Sequence, residues 1–352
     1  MEMAEKELRT IFRSRAPMRI DLAGGWTDVP PFAEREGGAV ISLAINRYAY
    51  ASLSARNDGR VCLCSDDYDA VVEATSIAAL DYDGRLDLPK AALKRMGVNT
   101  GIEINTRSDA PPGSGLGTSA AMGVALVGVI EAFTGRHLDR AERAALASSL
   151  EIEELHIAGG KQDQLAASFG GVNYMEFGPW EPKPTSLALS SGIIHKLEKR
   201  LVLCYSGQSR LSGKIIRQVQ QAYEAGEIPT CESLRRMREL AQPTREALLG
   251  GDVEALGEIL RENWRCQCAL HPSVTTPEVD HLFAVADSNG ALGGKAGGAG
   301  GGGCLVFLAA QDQEQKLSKA LMNAGGQILN FNLDRDGLQT WRVEAGGGKV
   351  LP

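Results

Sequence analysis

The chain has 352 residues, of which 43% are hydrophobic, and its formal net charge is −7. This length allows two domains or one large one with a sizeable buried core. The acidic balance offers no basic stripe for nucleic acid, and no segment approaches the roughly 20 apolar residues of a membrane span. The N-terminal segment lacks the apolar core of a signal peptide, so we expect a cytoplasmic protein that binds neither nucleic acid nor membrane.

Strand and helix patterns alternate irregularly along the first half of the chain. Strand patterns rich in β-branched and aromatic residues occur at 39–55, 61–65 and 101–109. The third pattern runs directly into a glycine-rich turn, and a long apolar helical pattern follows from Ser119 to Phe133. A second helical pattern extends from Leu138 to His156, with Asp139 as its expected N-cap.

The second half begins after a stretch rich in Pro and Ser, so we place a domain boundary near residue 190. The expected domains are 1–190 and 191–352. A strand pattern at 200–207 precedes helical patterns at 211–225, 231–249, 253–269 and 313–324. The irregular order of strands and helices indicates an α+β fold rather than a regular βαβ winding.

The glycine-rich turn PPGSGLGTSAAMG, Pro111 to Gly123, has the composition of a phosphate-binding loop. A lysine-type phosphate loop is excluded because the stretch contains no lysine. Three of its small residues fit the dinucleotide pattern G-x-G-x-x-A, but that fold needs an acidic residue at the tip of a second strand. The acid at the right distance, Asp139, opens a helical pattern instead. A turn without a ligand is the remaining alternative.

The same turn offers an anion site built from backbone alone. Free N–H groups at a strand-to-helix junction, together with the positive end of a helix dipole, bind phosphate without a lysine. Hydroxyl groups in the turn can reach a phosphate oxygen or Mg²⁺, so a nucleotide triphosphate fits the site. The expected nucleotide-binding residues are Pro112, Gly113, Ser114, Gly115, Leu116, Gly117, Thr118, Ser119 and Ala120.

This turn resembles the central phosphate-binding motif of the GHMP kinases, a family of kinases that act on small molecules. Two other stretches lie where that family has its remaining motifs: APMRIDLAGGWTDVPPF at 16–32 and GGKAGGAGGGGCLVF at 293–307. Three motifs in the same order, spanning nearly the whole chain, make the resemblance specific. It implies a two-lobed fold, with an S5-domain-2-like α/β lobe at the N-terminus and a ferredoxin-like lobe at the C-terminus.

The N-terminal motif implies the sugar site. In the sugar kinases of the family, an arginine and an aspartate nine residues apart contact the sugar, and Arg19 and Asp28 match them. Gly24, Gly25 and Trp26 lie between them and are the other expected contacts. Galactokinases have Glu-His where this chain has Gly25 and Trp26, which argues against galactose. Without the resemblance, a solvated position at a strand end is the favoured interpretation of both charged residues.

The stretch GGKQDQLAASFGG at 159–171 implies the group that accepts the hydroxyl proton. Asp163 matches the family aspartate that orients or deprotonates the attacking hydroxyl, and Lys161 is expected to keep its carboxylate ionised. The alternative for Asp163 is a loop acid or a helix N-cap. For Mg²⁺, the resemblance implies Ser119 and Glu151 as ligands, with Glu153 as the fallback if the register shifts. The alternative for both glutamates is a solvated helix face.

The second glycine-rich run, GGKAGGAGGGG, has eight glycines among eleven residues. Such composition is typical of a flexible linker, but an apolar strand pattern follows it at once, which favours a packed loop. The resemblance places this loop beside the nucleotide and substrate phosphates, through a backbone approach that only glycine permits. The expected contacts are Gly297, Gly298 and Ala299.

A second anion site is expected at SGQSRLSGKIIR, where a helical pattern starts. Ser209, Arg210, Ser212 and Lys214 offer hydroxyl and cationic groups that suit a phosphate carried by the substrate. The alternative is ordinary helix capping beside a solvated basic turn.

The implied activity is transfer of the γ-phosphate of ATP, with Mg²⁺, to the anomeric hydroxyl of a sugar. Several stretches resemble the heptose phosphate kinases of the family, which implies D-glycero-D-manno-heptose 7-phosphate as substrate and the 1,7-bisphosphate as product. A fucokinase-like enzyme for an unphosphorylated sugar is the alternative that Trp26 favours. A sugar and ATP sensor without catalytic activity is the alternative of another class. The sequence leaves open whether the chain forms a homo-oligomer.

Overall fold

The computed structural model describes residues 9–208 and 212–345. Within these residues the strands form one sheet of eight strands and one of four. The strands are β1 Arg9–Ala23, β2 Gly38–Ala55, β3 Val61–Ser65, β4 Ala70–Ala74, β5 Ile102–Ser108, β6 Val172–Phe177, β7 Lys183–Ser186, β8 Leu201–Tyr205, β9 Ala291–Ala296, β10 Cys304–Ala309, β11 Gln327–Ile328 and β12 Gln339–Ala345. Sheets and helices in irregular order confirm the α+β class.

Helices pack against both sheets. In the described residues they are α1 Phe32–Glu36, α2 Asp87–Arg95, α3 Thr118–Thr134, α4 Arg140–Ser149, α5 Gln162–Phe169, α6 Ser191–Arg200, α7 Ser212–Glu224, α8 Ile228–Gly250, α9 Val253–Leu270, α10 Pro277–Ser288 and α11 Glu314–Asn323. The helix predicted directly after the glycine turn and the four predicted in the second half are confirmed, with ends that differ by three residues at most. No helix in the described part of the chain is long and apolar enough to cross a membrane.

The eight-stranded sheet has the order β12-β1-β2-β5-β3-β4, and β6 and β7 continue from β2. The pair β3 and β5 is parallel, and the other neighbours are antiparallel. The long strand β2 pairs with β6 through residues 38–43 and with β5 through residues 49–55. The point where β2 changes partners lies opposite residues 17–19 of β1, and the Arg19 N–H donates to the Leu116 carbonyl of the glycine turn at 3.0 Å.

The four-stranded sheet has the order β11-β8-β10-β9, with every pair antiparallel. Along the chain, helices α7 to α10 connect β8 to β9, a glycine-rich connection joins β9 to β10, and α11 precedes β11. This is the βαββαβ arrangement of a ferredoxin-like lobe, with additional helices in its first crossover.

Helix α3 forms the centre of the N-terminal core. Its residues from Ala120 to Ile130 are mostly buried, because the sequence is apolar all round the helix and both β1 and β2 pack against it. Small residues allow close helix packing: a Cβ atom at Gly123 would lie 3.6 Å from the Cβ of Ala147 in α4. This packing fixes the N-terminus of α3 at the end of the sheet.

The helix predicted from Leu138 to His156 is interrupted. Asp139 is confirmed as its N-cap, because the Asp139 carboxylate accepts the Glu142 N–H at 2.8 Å. However, α4 ends at Ser149, and a π-helical turn, Leu150–Glu154, follows it, closed by a bond from the Leu155 N–H to the Leu150 carbonyl. A wider turn of this kind inserts an extra residue and occurs often at functional sites.

The domain boundary near residue 190 stays a prediction. The structure shows one strand of the second half in the sheet of the first. Ser190 caps α6, so a new element begins at the expected place. The last strand, β12, nevertheless pairs with β1 from Arg9–Ala345 to Arg15–Gln339. The segment 339–345 therefore belongs to the sheet of the N-terminal lobe.

Candidate active site

A cleft of about 1620 Å³ lies where the two lobes meet. The end of β1, the glycine turn, the π-helical turn, the start of α5 and the second glycine-rich segment all line it. The first turn of α7 contributes as well, through Ser212, Gly213 and Lys214. Most of the motifs separated along the sequence therefore meet in one concave site.

The glycine turn opens directly into α3. Gly117 is the N-cap of α3 with φ +73°, a left-handed conformation that favours glycine. The turn is held from behind, because the Cys304 N–H donates to the Ser114 carbonyl at 2.7 Å. Of the nine residues predicted to bind nucleotide, Leu116 is buried in the core and does not line the cleft, whereas the other eight do. The first-turn N–H groups of α3 have no intrahelical partner, so they suit an anion.

Asp163 lies in the first turn of α5 and is aligned by Arg19. Arg19 Nε and Nη2 donate to the two Asp163 carboxylate oxygens at 2.6 and 2.8 Å, and Nη1 donates to the Gly115 carbonyl at 2.6 Å. Burial acts to lower the pKa of Arg19, but the charges of Asp163 and Asp21 outweigh it and raise the pKa. A Cβ atom at Gly117 would lie 3.1 Å from Asp163 Oδ2. The carboxylate therefore lies against the glycine turn in a fixed orientation.

The expectation for Lys161 needs correction. Lys161 precedes α5, its side chain is exposed, and it does not line the cleft. Residues two apart on a helix point to different faces, so a lysine at 161 does not face an acid at 163. The cation that pairs with Asp163 is Arg19, which the sequence motif suggested only as a sugar contact.

Ser119 and Glu151 meet at the start of α3. Ser119 Oγ donates to Glu151 Oε1 at 2.5 Å, and Gln164 Nε2 donates to Oε2 at 2.6 Å. Burial raises the pKa of Glu151, although both hydrogen bonds oppose this rise. Gln164 Oε1 is a buried oxygen without a hydrogen-bond partner in the described residues. Several hard oxygens around a buried carboxylate fit Mg²⁺.

The fallback ligand, Glu153, lies on the other side of the π-helical turn. Its side chain is 66% exposed and pairs with Arg95 of α2 at 3.5 Å. The neighbouring Glu154 accepts the Tyr82 hydroxyl at 2.7 Å. Glu151 and Glu154 line the cleft, whereas Glu153 does not, and the contacts of Glu153 and Glu154 hold the turn against its surroundings.

Asp28 forms another wall of the cleft. The backbone and side-chain N–H groups of Gln162 donate to it at 3.1 and 2.9 Å. Burial raises the pKa of Asp28 to about 7, and the charge of Asp163 adds to this rise. A side chain at Gly160 would overlap the Asp28 carboxylate, so glycine makes room for it. Trp26 lines the same wall, and its indole N–H is buried without a partner in the described residues.

Three of the glycines predicted to contact the substrate instead make room for neighbouring atoms. A side chain at Gly24 would overlap the Ala39 carbonyl oxygen, and a side chain at Gly25 would overlap the Asp21 carboxylate. A Cβ atom at Gly297 would lie 2.8 Å from the Gly115 carbonyl oxygen. None of the three lines the cleft, whereas Gly298 and Ala299 do.

The second glycine-rich segment is a packed connection between β9 and β10, so the alternative of a flexible linker is wrong. Most of its residues are buried. Its lysine, Lys295, donates to Asp21 Oδ2 of β1 at 2.5 Å, and the Gly298 N–H donates to Asp21 Oδ1 at 3.3 Å. The segment thus binds the C-terminal lobe to β1.

The second anion site is described in part. Ser209 and Arg210 lie outside the described residues. Ser212 and Lys214 line the cleft in the first turn of α7, and Arg217 lies one turn further along the same helix and lines the cleft too. The exposed side chains of Lys214 and Arg217 give this end of the cleft a positive charge.

Sequence reasoning missed five residues of the site: Asp21, Gln162, Gln164, Arg217 and Lys295. Both glutamines flank Asp163 in the stretch KQDQ, so their position beside a candidate acid was a usable signal. The ion pair of Asp21 and Lys295 joins positions 274 residues apart, which no local pattern indicates.

An anion cradle beside an aligned carboxylate and a pair of hard oxygen ligands is the arrangement of a phosphoryl-transfer enzyme. The model of the GHMP kinases N terminal domain matches residues 87–171, and the model of the GHMP kinases C terminal matches residues 244–327. The chain belongs to the GHMP kinase family, and it is a phosphotransferase of the sugar kinase type.

Known proteins resemble the chain along nearly its whole length. It is 33% identical to D-glycero-alpha-D-manno-heptose 7-phosphate kinase of Campylobacter jejuni, over 96% of this chain and 100% of that protein. A solved D-glycero-D-manno-heptose 1-phosphate kinase from Bacteroides thetaiotaomicron superposes with a TM-score of 0.79 at 31% identity, covering 94% of this chain and 99% of that one. The bifunctional fucokinase/GDP-fucose pyrophosphorylase of Arabidopsis thaliana is 30% identical over 85% of this chain. That protein is longer, and the match covers 30% of its length.

Proposed function

We propose that the protein transfers the γ-phosphate of ATP to the anomeric hydroxyl of D-glycero-D-manno-heptose 7-phosphate, giving the 1,7-bisphosphate and ADP. The observation that carries this proposal is the bidentate pair of Arg19 and Asp163, which holds a carboxylate against the glycine turn. The similarity to heptose phosphate kinases over the full chain supports the choice of sugar.

In the proposed reaction, the glycine turn and the N-terminus of α3 bind the phosphates of ATP through backbone N–H groups. Asp163 orients the anomeric hydroxyl and accepts its proton as the sugar oxygen forms a bond to the γ-phosphorus and ADP leaves. Asp28 and Trp26 contact the sugar hydroxyls. Ser119 and Glu151 are the proposed ligands of Mg²⁺, which neutralises negative charge on the transferring phosphate when bound.

The phosphate already present on the sugar binds near the start of α7 in this proposal. Lys214 and Arg217 line that end of the cleft, and both are cations on a helix whose N-terminus faces it. Ser209, Arg210 and Ser212 are further proposed contacts. An unphosphorylated sugar has no charge to balance these cations.

A fucokinase-like activity is the second candidate within the family. Trp26 favours it, because a buried indole N–H without a partner and an apolar ring suit an uncharged sugar. The similarity to a fucokinase over 85% of this chain gives it further support. The two candidates make different predictions for Lys214 and Arg217: these cations bind the substrate only if the sugar carries a phosphate.

Release of ADP, measured in parallel with heptose 7-phosphate, unphosphorylated heptose and L-fucose, tests the proposal. We expect turnover with heptose 7-phosphate and a ³¹P signal from a new phosphate on C1. Lys214→Ala with Arg217→Ala should raise KM for heptose 7-phosphate by about tenfold or more, with KM for ATP unchanged. Preference for L-fucose would establish the second candidate.

Asp163→Asn separates an enzyme from a sensor of sugar and ATP. We expect it to lower kcat by about 10³-fold while ATP still binds. Asp312→Asn, at an exposed pair with Lys199, is the matched control and should leave kcat unchanged. ATP binding by the wild type without turnover of any sugar would establish the sensor.

A further inference from the structure

Lys295 and Asp21 form a buried ion pair for which the proposed reaction has no direct use. Lys295 Nζ lies 2.5 Å from Asp21 Oδ2, and the two side chains are 0% and 1% exposed. Lys295 belongs to β9 of the C-terminal sheet and Asp21 to β1 of the N-terminal sheet. Fully buried ion pairs contribute little net stability, so this pair calls for another role.

Asp21 lies between two cations. Its Oδ1 atom is 3.7 Å from Arg19 Nη1, while its Oδ2 atom accepts from Lys295. Arg19 in turn holds Asp163 through two hydrogen bonds. Lys295, Asp21, Arg19 and Asp163 therefore form a row of alternating charge from the C-terminal sheet to the candidate proton acceptor.

We infer that Lys295 is a positioning residue, which neutralises Asp21 so that the Arg19 guanidinium stays on Asp163. This inference rests on the proposed function of Asp163. Without Lys295, the described cation nearest to the Asp21 carboxylate is Arg19. A buried carboxylate without its partner is strongly unfavourable, and a shift of the guanidinium towards Asp21 relieves it. Such a shift turns Asp163 away from the geometry that the reaction needs.

The surroundings of Asp21 are built to keep this carboxylate in place. A side chain at Gly25 would overlap Asp21 Oδ2, so the glycine reserves space for it. The Gly298 N–H donates to Oδ1. Burial lowers the pKa of Lys295, but Asp21 opposes this effect, which favours the charged amine in the pair. Lys295 and Asp21 thus compensate each other's charge, and together they form a buried pair without net charge.

A charge-balanced double variant tests the inference. Lys295→Met leaves Asp21 unpaired, and we expect kcat to fall by about 10²-fold with KM for ATP changed by less than about threefold. Asp21→Asn combined with Lys295→Met removes both charges, and it should recover kcat to within about tenfold of the wild type. If Lys295 were needed only for packing or for joining the lobes, kcat would fall equally in both variants, because both replace the lysine with methionine.

The Nε–H resonance of Arg19 provides a readout that needs no sugar. In ¹⁵N NMR spectra, its hydrogen bond to Asp163 should give a slowly exchanging signal in the wild type, absent in Lys295→Met and present again in the double variant. The inference is overturned if Lys295→Met keeps the kcat and signal of the wild type, or if a folded double variant lacks both. If Lys295→Met does not fold, the double variant alone decides between these outcomes. If the wild type shows no turnover, but the Arg19 signal is lost in Lys295→Met and returns in the double variant, the proposed function is contradicted and the positioning role is still supported.

Discussion

The two glycine-rich segments, 111–123 and 293–303, both contain glycines at positive φ, but they lie in different structural contexts. The first opens α3, and Gly113, Gly115 and Gly117 adopt positive φ there, so its glycines shape a turn with N–H groups at a helix start. The second joins two antiparallel strands, and its glycines allow it to lie against the first. A Cβ atom at Gly303 would lie 2.7 Å from the Ser114 carbonyl oxygen.

Glycine content alone therefore does not distinguish a segment that binds a ligand from one that supports the binding segment. The other residues of each segment distinguish them. The first segment contains hydroxyl groups, among them those of Thr118 and Ser119, and the start of an apolar helix, which suit an anion and a metal ion. A single lysine interrupts the second, and it is buried against Asp21. Four variants test this division of roles, beginning with the largest expected effect.

Glu151→Gln tests whether the metal ligands belong to the first segment and the turn beside it. We expect kcat to fall by about 10²–10³-fold and the Mg²⁺ concentration for half-maximal rate to rise, because a neutral amide binds the ion weakly. Activity is measured against Mg²⁺ concentration. Glu153→Gln is the matched control on the same π-helical turn, and an equal loss there would contradict the assignment.

Gly115→Ala tests the close contact between the two segments. The new Cβ atom would lie 2.7 Å from the Gly297 carbonyl oxygen, and φ is +79°, so we expect the free energy of unfolding to fall by about 3 kcal/mol. Gly135→Ala, at the other end of α3, has φ +71° and open space around it. This control should lose only about 1 kcal/mol in urea unfolding, and similar losses in both variants would show that strain alone matters.

Gly298→Ala tests the supporting role of the second segment. Its Cβ atom would lie 3.3 Å from the Gly115 carbonyl oxygen and 3.7 Å from Arg19 Nη2, with φ +59°. We expect a loss of about 1–2 kcal/mol in stability and about tenfold in kcat, because the Gly115 carbonyl, which accepts a hydrogen bond from Arg19 Nη1, must shift. Gly325→Ala, with φ +93° and no neighbour, should change stability without changing kcat.

Asp28→Asn tests a wall of the cleft that neither segment forms. The pKa of Asp28 is raised to about 7, so between about pH 4 and 7 the folded state keeps a proton that the unfolded state has lost. The free energy of unfolding of the wild type should therefore fall by about 1 kcal/mol, relative to the variant, from pH 6 to pH 8 and level off above. Urea unfolding at both pH values measures this difference; parallel pH profiles would contradict it.

Local patterns predicted the elements well and the contacts poorly. The glycine turn with its helix, and the N-cap Asp139, depend on neighbouring residues, so the sequence was sufficient. The π-helical turn was missed because the acidic residues of 151–154 are also compatible with an ordinary solvated helix face. Arg19 lies 144 residues from Asp163, whereas Lys161, two residues away, was the predicted partner although it faces elsewhere. Long-range pairing of charges depends on the fold as a whole.

The pairing of β12 with β1 bears on the order in which the protein is synthesised. β1 leaves the ribosome early, but the strand that covers its outer edge is the last described element of the chain. At roughly 5–20 residues per second, β1 waits tens of seconds for that neighbour. During this interval the nascent N-terminal lobe has an unpaired edge on the strand that carries Arg19 and Asp21, and such an edge is open to wrong partners and to chaperones.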